Sequence, residues 1–319
     1  MIRRFLGKSG IEVSALGLGC WAIGGPALSG GKPIGWGEVN DAESIRAIHA
    51  AIELGVNFLD TANSYGAGHS ERVIAQAIKG RRDQVIIATK FGNVVDEKAG
   101  QMTGQSAEPD DIRAECEASL RRLGTDCIDL YQFHLGRYEG DAGAVRDVLE
   151  ELVESGKIRF YGWSTDDPER ARFFAGGKHC CAVQQRLNLF DGNEETLRVC
   201  EQFGLASINR GPLAQGILTG KFTPDSDFPD TDIRHKWSFK EGARRDMLER
   251  LDAVRDTLTA DGRTLAQGAI CWLWAKSGRT IPIPGFKTVA QVSENAGALR
   301  FGPLSAAQMA EVERLLREE

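Results

Sequence analysis

Short runs of apolar residues rich in Val, Ile and aromatic side chains recur along the chain, and between them the apolar positions repeat at helical spacing. The runs fall at residues 15–21, 56–60, 84–90, 128–134, 158–164, 182–188, 205–211 and 280–285. Most are short and nearly continuously apolar, the pattern of strands covered on both faces rather than of a sheet with one wet side. Helical segments fill the gaps. Asn40 stands three residues before Glu43, a capping-box spacing that opens a helix over 41–54, and Gly55 closes it. Ile45, Ile48 and Ile52 lie at i, i+3 and i+7, one stripe facing inward. Pro109 marks the start of a helix over 110–123 and Gly124 its end. Further amphipathic segments cover 70–79, 141–155, 167–174, 194–203, 264–276 and 288–298.

Strand and helix thus alternate eight times. Parallel strands joined by helices cross over right-handedly, and eight such units close into a barrel, so the predicted fold is α/β, a (β/α)8 or TIM barrel. Three pieces lie outside the repeat. Residues 4–13 read as an N-terminal hairpin turning at Lys8-Ser9-Gly10 and placed to plug the barrel floor. Residues 212–240 are too long for an ordinary connection and are expected to be functional. A helix over 305–317 is extra and C-terminal, its charges Glu311, Glu313, Arg314, Arg317, Glu318 and Glu319 forming a solvated end. No linker or low-complexity segment interrupts the pattern, so residues 1–319 are expected to form a single domain.

Composition narrows the function class. With 42% apolar and 26% charged residues the chain has ample core and a soluble surface. A net charge of −6 gives no reason to expect nucleic acid as a partner. The basic start, Met1 to Lys8, has no apolar run after it, and no later stretch is long and apolar enough for a bilayer. A cytoplasmic protein without a membrane partner is the expectation; oligomeric state leaves no mark in the sequence. The seven cysteines are odd in number and never spaced C-x-x-C. Cys180 and Cys181 sit beside His179 without metal-ligand spacing, so reduced thiols and no metal are expected. Trp272 and Trp274 belong to the core.

In a barrel of this kind catalytic groups sit at the C-terminal ends of the strands. Those ends carry Asp60, Lys90, His134, Ser164, Gln184 and Arg210, with Tyr65 on the loop after the second strand. Singly, each has an ordinary reading: Asp60 a helix cap, Lys90 a phosphate ligand or Schiff-base amine, His134 and Tyr65 packing. Together they form a proton-transfer set. A Tyr hydroxyl titrates near pH 10 unperturbed, an adjacent Lys90 ammonium lowers that value, and Asp60 holds the ammonium charged. His134 is placed to polarise a carbonyl oxygen while Tyr65 delivers a proton to it. Such a set supplies no hydride, so a cofactor is required. Trp21 and Trp36, at the mouth, are candidates to wall the substrate pocket.

These residues resemble the aldo-keto reductase superfamily. Residues 57–71, containing Phe58, Asp60, Thr61, Ala62, Tyr65, Gly66, Gly68, Ser70 and Glu71, resemble its F-x-D-T-A-x-x-Y-G-x-G-x-S-E signature. The segments around Lys90 (87–92) and His134 (129–134) resemble those carrying its lysine and histidine. Residues 212–221 and 283–287, with Gln291, Glu294 and Asn295, resemble its cofactor segments, and the likeness runs over residues 3–300. The resemblance implies carbonyl reduction with NADPH, Tyr65 as proton donor, Lys90 and Asp60 as its tuners, and His134 orienting the substrate. It implies Ser164 and Gln184 at the nicotinamide carboxamide and the 212–221 loop, with Pro212, Leu213, Gly216 and Lys221, over the pyrophosphate, and it counts Trp21, Asp60 and Gly211 among the cofactor-binding residues. Gly285, Lys287, Gln291 and Asn295 fall at the adenosine end, with Lys287 favouring a 2′-phosphate. Two positions depart from the pattern. Thr165 follows Ser164 where many relatives have Asn, and Arg210 stands where many stack an aromatic ring, so that it either stacks on the cofactor, reaches the pyrophosphate or reads an anionic substrate.

Two other functions share these features. A cofactor-redox-sensing binding subunit would keep the fold without turnover, and steady reduction of a carbonyl separates it from an enzyme. A lysine-dependent aldolase would be trapped on Lys90 by borohydride. A metal-dependent hydrolase would need His-x-His or clustered carboxylates after the strands, which the sequence lacks.

Overall fold

Each of the eight apolar runs becomes a strand, and each strand hydrogen-bonds in parallel to the next. The computed structural model describes residues 2–317; Glu318 and Glu319 of the expected solvated helix end lie outside the described residues. The strands are β1 (Gly17–Gly19), β2 (Phe58–Asp60), β3 (Ile86–Phe91), β4 (Ile128–Phe133), β5 (Ile158–Ser164), β6 (Cys180–Asn188), β7 (Ala206–Arg210) and β8 (Thr280–Pro282), paired in that order. The last closes on the first through Gly19 and Gly285, with Gly19 N–H donating to Pro284 O at 3.0 Å. Glycine is needed at this seam: a Cβ on Gly19 would stand 2.6 Å from the carbonyl oxygen of Ile283. The result is the predicted (β/α)8 barrel.

Helices α1 (Asp41–Glu53), α2 (His69–Ala77), α3 (Pro109–Leu123), α4 (Ala142–Glu154), α5 (Pro168–Ala175) and α6 (Glu194–Gln202) follow the first six strands. After β7 come α7 (Ala243–Thr259) and α8 (Leu265–Lys276), and after β8 come α9 (Val289–Gly297) and α10 (Ala306–Arg317). α9 packs on α1 and closes the outer ring. Asn40 caps α1 by accepting from Glu43 N, but the reciprocal half of the box does not form. The Glu43 carboxylate instead binds Val289 N at 2.9 Å and Arg46, tying α1 to α9.

Two features differ from the sequence expectation. The sequence reading places no helix over Ala243–Thr259, whose buried face is only Leu251, Val254 and Leu258 among many charges. It packs against α8 and α10, which supply the missing apolar cover. A small sheet of Leu28–Ser29, Lys32–Pro33, Asn93–Asp96 and Gln101–Gln105 rises beside the mouth. Its strands are short and polar, and pairing comes from tertiary contact rather than from propensity. Residues 212–240 hold a 3-10 turn, Ala214–Thr219, and otherwise run irregularly over the mouth. The N-terminal hairpin pairs Arg3–Phe5 with Glu12–Ser14 and seats Leu6, Ile11 and Val13 among Phe58, Ala88, Leu130, Ala206 and Ile281. The floor is plugged as expected.

Candidate active site

Alternation along a strand sends every second side chain into the barrel. On β2, β3, β4, β6 and β7 the lower inward positions are Phe58, Ala88, Leu130, Ala182 and Ile208, packed as one apolar plug. Two residues further on, the same face carries Asp60, Lys90, Gln132, Gln184 and Arg210. In one step the interior changes from hydrocarbon to ionisable and amide groups.

Lys90 is fully buried. Its Nζ donates to Asp60 Oδ1 at 2.6 Å, to the Thr61 carbonyl at 2.7 Å and to the Tyr65 hydroxyl at 3.2 Å. Three acceptors use all three ammonium hydrogens. Burial alone would lower the lysine pKa, but Asp60 and Tyr65 outweigh it and the pKa is raised, so the ammonium persists at neutral pH. For Tyr65 the expected direction is corrected. The Lys90 charge pulls its pKa down, yet removal from water is the larger effect, and the net shift is upward. The phenol is a firmly protonated donor rather than a partly ionised one.

Asp60 Oδ2 accepts from Gln132 Nε2 at 3.0 Å and Gln184 Nε2 at 2.7 Å. Gln132 is absent from the sequence-derived set, although it shares inward parity with Leu130 and so could have been found. Gln184, expected at a ligand carboxamide, has its amide nitrogen engaged by Asp60 and, at 3.3 Å, by Gln132 Oε1, leaving its oxygen for a ligand. Ser164 ends β5 almost buried, with no hydrogen bond to its hydroxyl from the described residues. The Thr165 hydroxyl turns away to the Gly136 carbonyl at 3.1 Å.

His134 follows β4, its ring edge-on to Tyr65 with centroids 6.0 Å apart. Its pKa is depressed to about 3, first by burial and then by the charges of Lys90 and Arg210, so the imidazole is neutral. Nδ1 lies 3.2 Å from Asn93 Nδ2. Trp21 stacks on the Tyr65 ring at 5.7 Å and 18°, and Trp36 meets Trp21 edge-on at 5.3 Å. Both tryptophans stand where the sequence reading puts them. Arg210 is paired with Asp166, a residue the sequence reading did not select, and its charge reaches both Tyr65 and His134.

The long loop after β7 begins at Gly211 and Pro212, buries Leu213 and turns through left-handed Ala214 (φ 46°), Gln215 (φ 54°) and Gly216 (φ 102°) before Lys221. Two adjacent left-handed residues other than glycine cost roughly 1–3 kcal/mol each and persist only where surroundings fix them. Here Arg234 fixes them. Its Nη1 donates to Gln215 O at 3.1 Å, and Nε and Nη2 donate to the two Asp232 oxygens at 2.9 and 2.8 Å. The guanidinium lies 4.6 Å from the Trp36 ring and 4.2 Å from that of Phe228. Ile233 N donates to Gly35 O at 2.9 Å, so the loops after β1 and β7 are joined across the mouth. Asp232 and Arg234 carry no sequence signal, since they sit in an irregular, charge-rich stretch.

At the end of β8, exposed Gly285 leads to Lys287. The Lys287 ammonium donates to the carbonyls of Trp36 and, at 3.1 Å, Glu38. Its pKa is lowered, mainly by burial, with Asp232 opposing and Arg234 and Lys221 adding to the depression. Gln291 Oε1 accepts from Lys287 N at 2.7 Å, and Asn295 is buried on the inner side of α9.

Among the described residues no three His, Cys, Asp or Glu side chains group as metal ligands; His179 pairs with Glu150, and all seven thiols are free. No helix of the described residues is long and apolar enough to cross a membrane.

The model of the aldo/keto reductase family matches residues 15–317. The aldo-keto reductase yakc [NADP(+)] of Schizosaccharomyces pombe is 34% identical over 312 residues, 94% of this chain and 87% of that protein. The glycerol dehydrogenase AKR11B4 of Gluconobacter oxydans shares 30% identity and a TM-score of 0.86, over 99% of this chain and 95% of that one. An aldo-keto reductase from Klebsiella pneumoniae, solved in complex with NADPH, shares 26% identity and a TM-score of 0.72, over 99% and 96%. With the match running from the first barrel strand to the last helix, the chain is an oxidoreductase that belongs to the aldo/keto reductase family.

Proposed function

We propose that this chain is an NADPH-dependent carbonyl reductase, converting an aldehyde or ketone to an alcohol, or the reverse, on one cytoplasmic domain. The observation that carries this reading is the buried Lys90 ammonium bonded at once to Asp60, the Thr61 carbonyl and the Tyr65 hydroxyl. The same observation weighs against an aldolase. A Schiff base needs a neutral, accessible amine, and this one is charged, enclosed and fully hydrogen-bonded.

The residues around the mouth fit a phosphate-bearing dinucleotide. The Ser164 hydroxyl and the Gln184 oxygen are open to a carboxamide, while Lys221, Arg234 and Lys287 gather positive charge behind the loop starting at Gly211. Trp21 stacks on Tyr65 and the Arg210 charge reaches it. Pro212, Leu213 and Gly216 precede Lys221 in the loop after β7. Gly285 precedes Lys287, Gln291 bonds the Lys287 backbone, and Asn295 follows on α9. A bound reduced nicotinamide supplies hydride to the carbonyl carbon. The rest falls to the protein. His134, neutral, donates to the carbonyl oxygen and holds it near Tyr65. Tyr65 passes its proton to that oxygen as negative charge develops, and Lys90 stabilises the phenolate left behind. Trp21 and Trp36 exclude water and pack the apolar part of the substrate.

Cofactor absorbance over a panel of carbonyls and small polyols tests the reading, polyols being included because of the glycerol dehydrogenase likeness. Reduction should hold steady from pH 5 to 8. His134, depressed to about 3, does not titrate there, and the raised Tyr65 stays protonated. Absence of turnover with every compound, despite NADPH binding, would favour the redox-sensing role instead.

Cofactor choice gives a second expected result. Two of the three Lys287 hydrogens are used by Trp36 and Glu38, leaving one for a 2′-phosphate. A charge-assisted contact contributes about 1.5–3 kcal/mol, or roughly ten- to a hundredfold in affinity. Lys287→Ala should weaken NADPH by about that factor beyond any loss for NADH. The NADH loss reports the loop anchor, and the excess for NADPH reports the charge. Equal losses in a fluorescence titration would remove Lys287 from cofactor discrimination.

A further inference from the structure

We propose that Asn93 is a positioning residue that fixes the tautomer of His134, so that Nε2 carries the hydrogen presented to the substrate oxygen. The inference rests on the reductase reading given above and assigns a function to a residue outside the Asp60, Tyr65, Lys90 and His134 set.

A neutral imidazole has one N–H and one lone pair, and which nitrogen holds which is decided by the partner of the nitrogen facing the protein. Asn93 begins the short strand Asn93–Asp96, just past the end of β3, and is nearly buried. Its Nδ2 lies 3.2 Å from His134 Nδ1. An amide nitrogen only donates, so Nδ1 is the acceptor and the ring hydrogen lies on Nε2. The orientation of the amide is itself fixed. Asn93 Oδ1 accepts from Gln105 Nε2 at 3.4 Å across the small sheet, and the Asn93 carbonyl accepts from Asn63 Nδ2 at 2.7 Å. His134 N–H, bonded to Phe91 O at 2.9 Å, holds the backbone of the ring. The small sheet beside the mouth thereby acquires a reason to exist: it delivers a neutral donor to the back of the imidazole.

A neutral amide suits this place for an electrostatic reason. The charges facing the ring are Lys90 from β3 and Arg210 from β7, with the protonated Tyr65 across the pocket, and both cations disfavour an imidazolium. Under these charges the neutral ring can present a hydrogen to the substrate only through the right tautomer. A carboxylate in place of Asn93 would reverse both conditions. It would accept a hydrogen from Nδ1, leaving a lone pair at Nε2, and it would stabilise the doubly protonated ring.

Asn93→Asp therefore carries a distinctive expected result. Above neutral pH the variant should lose roughly 10²–10³-fold in kcat, the usual effect of deleting one donor to a developing oxyanion. As pH falls and His134 becomes an imidazolium, Nε2 regains its hydrogen and the rate should recover, giving an acidic limb that the wild type lacks. Asn93→Ala should show no such limb. Long-range proton–nitrogen NMR on histidine-labelled protein reads the tautomer without turnover: hydrogen on Nε2 in the wild type, on Nδ1 in Asn93→Asp at pH 8. A wild-type spectrum with the hydrogen on Nδ1 would overturn the proposal whether or not the variant folds. So would a variant whose pH profile stays flat. Failure of the reductase reading is distinguishable, because then the wild type itself, and not only the variant, turns over no carbonyl.

Discussion

Tyr65→Phe is expected to lower kcat for carbonyl reduction by about 10²–10⁴-fold while NADPH affinity stays unchanged. The substitution removes one oxygen and keeps the ring that stacks on Trp21 and meets His134 edge-on. The hydroxyl accepts from Lys90, so its loss strips the proton-transfer set of its phenol donor. His134 still offers a hydrogen bond, but as a neutral imidazole it is a poor proton donor. A residual rate above that of free cofactor is therefore expected, from orientation alone. Lys90 keeps two of its three acceptors, Asp60 and the Thr61 carbonyl, so the fold should tolerate the change. Single-turnover measurement at saturating cofactor is the decisive form, since a slow product-release step could mask a loss in chemistry. Retention of most wild-type rate under those conditions would remove Tyr65 as the acid.

The barrel and most of this constellation were legible because both depend on local rules. A buried parallel strand is written as a continuous apolar run, and polar residues at its C-terminal end have no reason to be there unless they converge. Asp60, Lys90, Gln184 and Arg210 follow that rule. Gln132 follows it too, two residues past Leu130 on the same inward face. Other parts were not legible for physical reasons. The Asn93 contact depends on a sheet whose strands are too short and polar to announce themselves. The Arg234 clasp joins Gln215, Asp232 and the Trp36 ring through an irregular loop with no periodicity. The helix Ala243–Thr259 hides three buried positions in a charged stretch whose cover comes from distant helices. The direction of the Tyr65 shift failed for a different reason. The sequence shows that a lysine is near, but not that the phenol is withdrawn from water, and the second effect is the larger.

Lys90→Met should be more damaging than Tyr65→Phe because it acts on stability as well as on chemistry. Lys90 and Asp60 form an ion pair with both side chains essentially out of solvent. Removing one member of a buried pair leaves an uncompensated charge and costs about 3–5 kcal/mol. Asp60 retains two amide donors, Gln132 and Gln184, which soften the loss without neutralising the carboxylate. The variant should therefore unfold at clearly lower temperature and lose activity at least as severely as Tyr65→Phe. The two effects separate in the double variant Lys90→Met with Asp60→Asn. Replacing the carboxylate by an amide of the same shape removes the orphan charge, so thermal stability should return most of the way. Reduction should not return, because the phenolate formed at Tyr65 would still lack its ammonium. If instead the double variant recovers both stability and turnover, Lys90 supports the fold only. If Lys90→Met alone is as stable and as active as the wild type, neither the buried pair nor the proton-transfer set has the role assigned to it.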